Sequence, residues 1–391
     1  MHAPIVPPPQ ARKDEKVSTG LFQPADSPHE PSIIRERALI GPVVVGALER
    51  GPHTFDELLA RCSSLQPDKL QSALDILERQ GVIRRVNGEY ALGHAHRNAR
   101  ARFQADWAEN LDRAHDVLSK IMECIHMPHC LDYEWWFSHT SREELAMRML
   151  CAGELPLPNS LAFLGSPIFG AFASQLLPEQ EVFILDKSAA TLEAIDATVR
   201  SPRLHLVHYD AEQPLPEQYV GIAEMAFFDP PWYVDYYDLF LTRCAQLLYG
   251  HFAVIGAVLF PTLTRPNALD ERMEILESAK RLGLGLASLQ PQAAEYLTPQ
   301  FERESLIRKG VTAKNWRKGD LAIFLSNGTV AVDNVAVTVE LDRWEEVVVG
   351  RIKVKVRVLP EEQNDYVAPT LQPGVASGNG QNSTLRARKW A

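Results

Sequence analysis

A chain of 391 residues has room for two or three compact units, each able to bury its own core without a metal or disulfide staple. Its five cysteines, Cys62, Cys124, Cys130, Cys151 and Cys244, are odd in number and widely spread, as where thiols stay reduced, which points to a cytoplasmic setting. A net charge of -10 argues against nucleic acid as the main partner and suits a cationic one, while no run reaches the roughly 18 apolar residues that cross a bilayer.

Residues 1–32 are Pro-rich and polar, with Pro4, Pro7, Pro8 and Pro9 ahead of Arg12 and Lys13, and read as a flexible arm with no signal-peptide core. Residues 33–95 change character. Val43, Val44, Val45, Ala47 and Leu48 mark an apolar helix, Thr54 caps a second, and Pro67 opens a third that carries Leu70, Ala73, Leu74 and Leu77 and stops at Gly81. Val82–Val86 and Glu89–Leu92 flank Asn87-Gly88, the preferred two-residue hairpin turn. Three helices and a hairpin spell a winged helix-turn-helix, suited to dimerisation or to covering a substrate. Residues 96–132 read as a linker helix.

From 133 to 318 short apolar runs alternate with helical stretches. Leu161–Leu164 is followed by Gly165, Val182–Leu185 by Asp186, Leu204–Val207 by Asp210, Met225–Phe228 by Asp229, and His251–Ile255 by Gly256. Buried strands alternating with helices predict an α/β fold with a doubly wound, mostly parallel sheet, whose ligands sit at the strands' carboxyl ends. Beyond Gly319, the runs 321–325, 329–341 and 347–359 either finish the sheet or form a β-rich extension, set here at 319–360. Residues 361–391 are polar and Gly-rich and read as a disordered tail.

The strongest chemical signal is Asp229-Pro230-Pro231-Trp232-Tyr233 directly after an apolar run. Two prolines fix the backbone, so the Asp229 carboxylate and neighbouring carbonyls are held in one orientation, where they can accept from an amine N–H beside the Trp232 ring. The plainer reading is a strand-ending turn. Asp186 stands where ribose hydroxyls find an acceptor; otherwise it caps the helix starting near Ala189. Gly165 lets a cofactor approach the backbone, and Asp210 is a candidate acceptor for an adenine amine or else a solvated loop carboxylate. Cys124, His126, His129 and Cys130 crowd into seven residues without the spacing of a zinc site, so no metal is expected. Tyr133, Trp135, Trp136 and Phe137 read as core or as an aromatic rim for a cation.

In combination these landmarks resemble the branched-chain polyamine synthases, relatives in fold of the class I methyltransferases. The likeness runs over about residues 35–310: the winged-helix front, Tyr133-Glu134 with Thr140 and Arg148, Asp210 through Pro214-Leu215-Pro216, Asp229-Pro230-Pro231, and Ala253–Gly256. It implies S-adenosylmethionine or its decarboxylated form as cofactor, a small-molecule amine as acceptor and transfer of an aminopropyl or related group. Asp229 takes the catalytic role, Gly165, Asp186, Asp210 and Pro230 the cofactor side, and Tyr133, Glu134, Pro231, Trp232 and Tyr233 the acceptor side. One departure stands out. Where that family carries Gly-Asp-Asp-Asp, this chain has Gly165-Ser166-Pro167-Ile168. The rivals are an S-adenosylmethionine-dependent N-methyltransferase and a winged-helix DNA-binding regulator with a metabolite-sensing α/β unit.

Overall fold

The computed structural model describes residues 31–62, 65–94, 99–125, 135–150, 155–249, 253–327, 344–349 and 352–357. Most of the proposed arm, the tail, Tyr133, Glu134, His126, His129, Cys130, Cys151 and the run 329–341 lie outside them. The chain divides into two units, one of residues 1–102 with Gly153–Leu157, the other of Phe103–Ala152 and Pro158 onward.

The first unit holds α1 (Pro31–Leu48), α2 (Phe55–Arg61), α3 (Pro67–Arg79) and the strands β1 (Ile83–Val86) and β2 (Glu89–Leu92). Thr54 caps α2 in a reciprocal box: its hydroxyl accepts from the Glu57 N–H while the Glu57 carboxylate accepts from the Thr54 N–H. Val44, Leu48, Leu58, Leu70, Leu74, Leu77, Ile83 and Tyr90 form the core beneath. The hairpin pairs Val86 with Glu89 across Asn87 and Gly88, whose φ angles of 53° and 89° put both in the left-handed region that this turn requires.

The second unit contains α4 (Ala99–Cys124), α5 (His139–Leu150), β3 (Ser160–Leu164), α6 (Pro167–Leu176), β4 (Glu181–Asp186), α7 (Ala189–Thr198), β5 (Leu204–His208), β6 (Met225–Phe228), α8 (Val234–Leu247), β7 (Val254–Leu259), α9 (Ala268–Arg281), β8 (Leu284–Glu295), α10 (Gln300–Arg308) and β9 (Lys318–Ser326). β10 (Trp344–Val349) and β11 (Ile352–Arg357) pair as a separate antiparallel hairpin. The main sheet runs β5-β4-β3-β6-β7-β9-β8, parallel from β5 to β7 and antiparallel where β9 joins β7 and β8.

β3, β6 and β7 are buried along their whole length, which is why they read as unbroken apolar runs instead of alternating ones. Phe163, Phe169 and Phe227 pack edge to face with centroids 4.7 to 5.5 Å apart where Phe169 meets the other two. Each such ring, once buried, contributes roughly 1.5–3 kcal/mol.

Two boundaries drawn from the sequence move. β7 begins at Val254, not at His251, and runs to Leu259, so Gly256 lies inside the strand and not at its carboxyl end. It is glycine for packing: a Cβ there would stand 2.9 Å from the Met149 side chain. Of the two readings open for the run 321–325, it finishes the sheet: Lys318–Ser326 is the strand inserted between β7 and β8, so the extension set at 319–360 begins later.

Candidate active site

The chain order of strands reverses at β3: β4 lies on one side and β6 on the other, leaving a crevice at their carboxyl ends. Gly165 and Ser166 leave β3 there, and Asp229 leaves β6. Gly165 has φ +63°, and its N–H donates to the Leu185 carbonyl at 3.0 Å. A Cβ on it would meet the Phe240 ring at 2.7 Å, so both the backbone conformation and the close approach demand glycine. Ser166 and Pro167 then open α6, Pro167 at the first helical position where its missing N–H costs nothing.

Gly165, Ser166, Pro167, Ile168, Phe169, Asp229, Arg142 and the strip Trp135–Phe137 line an open cleft. The strip is held by an irregular pairing that the sequence did not announce. Phe137 bridges Tyr296, the Leu297 N–H donates to the Trp136 carbonyl at 2.7 Å, and the Ser138 N–H donates to the Glu295 carbonyl at 2.7 Å. Trp136 and Phe137 are buried, in keeping with a packing role, while Arg317 stacks over Trp135 at 4.3 Å.

This pairing also delivers Tyr296 to Asp229. The Tyr296 hydroxyl donates to the two carboxylate oxygens at 2.8 and 2.9 Å, and the Trp232 side chain adds a further hydrogen bond. Burial pushes the Asp229 carboxyl up from its ordinary 3.8 to about 8, with the Tyr296 and Trp232 bonds pulling the other way. The group is therefore poised to change its proton near neutral pH. Tyr296 is itself buried, and burial together with the Asp229 charge holds its phenol well above the usual range. Tyr237, also fully buried, bonds the Val258 carbonyl at 2.8 Å and packs edge-on against Phe228 and Phe260.

The remaining expected residues fall around this centre unevenly. Pro230 is buried, and Pro231, Trp232 and Tyr233 are half-buried in a tight turn in which the Tyr233 N–H donates to the Pro231 carbonyl at 2.7 Å. The Trp232 ring stands edge-on to Tyr296 with centroids 5.9 Å apart. Asp186 ends β4 next to Leu185, the residue that Gly165 bonds. It is buried, and burial raises its carboxyl to about 6 against the pull of a 2.7 Å bond from the Ser188 N–H. The alternative of Asp186 as cap of α7 is corrected: Ser188 is the cap, accepting from the Thr191 N–H. Asp210 is exposed and accepts from the Glu212 N–H at 3.1 Å, and neither it nor Asp186 lines the cleft itself. Thr140 is exposed, and Arg148 pairs with Glu144 on the surface.

A second polar cluster went unnoticed in the sequence. Glu143 takes His115 at 2.8 Å and His139 at 3.1 Å. The two imidazoles stack at 3.4 Å and 11°, and a nitrogen of each meets the same Glu143 oxygen.

No known family pattern matches this sequence, and no curated protein matches it. Among solved structures, a C9 mutein of the branched-chain polyamine synthase of Thermus thermophilus, in complex with N4-aminopropylspermidine and 5′-methylthioadenosine, superposes with a TM-score of 0.51 at 15% identity, over 78% of this chain and 90% of that one. The fold is methyltransferase-like. The parent synthase in the same complex gives a TM-score of 0.49 at 16% identity, again over 78% and 90% of the two chains.

Proposed function

We propose that this protein is a transferase that moves an alkyl group from an adenosyl-sulfonium cofactor onto an amine. The observation that carries the proposal is Asp229: a carboxyl at the end of β6, held by Tyr296 and Trp232, brought to about 8 by burial and facing the loop that leaves β3. The residues present suit such a cofactor. Ser166 keeps a buried hydroxyl oxygen without a partner at the mouth of α6, and Asp186 offers a buried acceptor beside Gly165. Gly165, Ser166 and Asp186 would hold it, with Asp186 accepting from ribose hydroxyls. When bound, the cofactor supplies an electrophilic carbon on a positively charged sulfur.

Asp229 does two things for the acceptor. It orients the amine N–H by accepting from it, and it takes the proton that the nitrogen must shed, for which a carboxyl near 8 is far better matched than one near 4. Tyr296 holds the two carboxylate oxygens in place, and the Trp232 face supports an ammonium as it approaches. The bound pair thereby gains orientation before any bond changes.

The first unit lends little support to sequence-specific DNA reading. On α3, Gln71 bonds Asp75 at 2.7 Å, Ser72 bonds the Asp68 carbonyl at 2.8 Å and Arg79 bonds the Asp75 carbonyl at 3.0 Å, all within the helix itself.

Mass spectrometry of reactions containing either sulfonium nucleoside and a panel of amines tests the proposal, with Asp229→Asn as control. Turnover should fall about a hundredfold or more in the variant while cofactor affinity stays within about twofold. Transfer at the parent rate in Asp229→Asn would remove that residue from the chemistry.

A further inference from the structure

Arg142, on the first turn of α5, is 6% exposed yet lines the cleft beside Ser166. Among the described residues its guanidinium bonds the Phe137 carbonyl, from a terminal nitrogen at 2.6 Å, and its buried Nε has no partner. No carboxylate of the described residues lies within ion-pair distance of it. Glu143, its neighbour in sequence, gives its oxygen to His115 and His139, and Asp229 lines the same cleft without pairing with it. Burial draws the guanidinium down to about 10, still fully charged at neutral pH.

A buried, charged guanidinium without an ion pair among the described residues destabilises the folded chain, and a carboxylate at the site would offset that. Two further donors face the same space. Ser166 is 8% exposed and its hydroxyl has no partner. Behind it begins the ten-residue α6, where the Ile168 and Phe169 N–H groups have no intrahelical acceptor and the helix dipole is positive. The loop Gly165-Ser166-Pro167-Ile168 contributes no acid of its own. A cation, a hydroxyl and a helix start line one cleft, a set of donors that suits a carboxylate.

We infer that Arg142, Ser166 and the start of α6 form a carboxylate site, and that it holds the amino-acid carboxylate of the sulfonium donor. The inference rests on the proposed function and sharpens it: the donor is S-adenosylmethionine with its carboxylate intact, so the group transferred is a methyl or an aminocarboxypropyl group and not an aminopropyl group.

Calorimetric titration of the full chain with four nucleosides tests this without any mutation. S-adenosylmethionine and S-adenosylhomocysteine carry the carboxylate; decarboxylated S-adenosylmethionine and 5′-methylthioadenosine lack it. The first pair should bind at least about tenfold more tightly than the second, the size of a charge-assisted bond. Arg142→Met should cancel that preference while leaving 5′-methylthioadenosine affinity within about twofold, and Ser166→Ala should narrow it by a smaller factor. If Arg142→Met fails to fold, Ser166→Ala and the comparison in the parent protein decide alone. Equal affinity for the two pairs would overturn the carboxylate site while sparing the sulfonium reading. Binding of none of the four would bring down both.

Discussion

Asp229→Asn should make the ligand-free protein more stable, by an amount that grows with pH. The carboxyl sits at about 8 in the folded chain and near 3.8 once exposed. Between those values the folded state keeps a proton that the unfolded chain has released, so stability falls as pH rises, by about 1.4 kcal/mol for each pH unit. Below the lower value the group costs nothing, and above the upper one the full penalty is in force. Across the whole interval the limit is on the order of 5 kcal/mol; because the carboxylate borders an open cleft, water tempers this to a few kcal/mol. Asparagine has no proton to lose, and its amide oxygen still accepts from Tyr296. Scanning calorimetry at about pH 5, 7 and 9 should show the variant close to the parent in acid and melting roughly 5–10 °C higher in alkali. A variant whose advantage is absent, or shrinks as pH rises, would refute the argument that burial controls this group.

Tyr296→Phe removes the donor that favours ionised Asp229, so the acidic limb of the transfer rate should move up by about one pH unit; a limb that stays or moves down contradicts the role given to Tyr296. Gly165→Ala forces a side chain into φ +63° against the Phe240 ring, and chemical denaturation should register a loss of more than about 2 kcal/mol. An unchanged denaturation midpoint there would mean that the β3–α6 loop is not fixed as described.

Local signals carried the sequence reading furthest. Asn87-Gly88, the cap at Thr54, and the apolar runs of β3 to β6 each specify their structure through a few adjacent residues, and each formed where expected. β8 escaped notice because Leu284–Glu295 shows neither alternation nor an unbroken apolar run, and it contains Pro291, which an edge strand tolerates. Its register shifts twice along β9. With β8 unseen, nothing marked Tyr296, which follows it and lies 67 positions from the carboxylate that it holds. Arg142 was hidden for a similar reason: on α5 it reads as one more surface charge, and only the folded chain shows it buried, without an ion pair among the described residues, in the same cleft as Ser166. Asp229 was legible because two prolines make its local conformation exceptional, yet its raised pKa comes from burial by distant segments.

A crystal structure of the protein grown with S-adenosylhomocysteine tests the central claim most directly. The account predicts the ligand at the carboxyl ends of β3 and β4, its ribose on Asp186, its carboxylate on Arg142 and its sulfur facing Asp229 across the loop at Gly165. A ligand bound elsewhere, or a cleft that stays empty at saturating nucleoside, would contradict it.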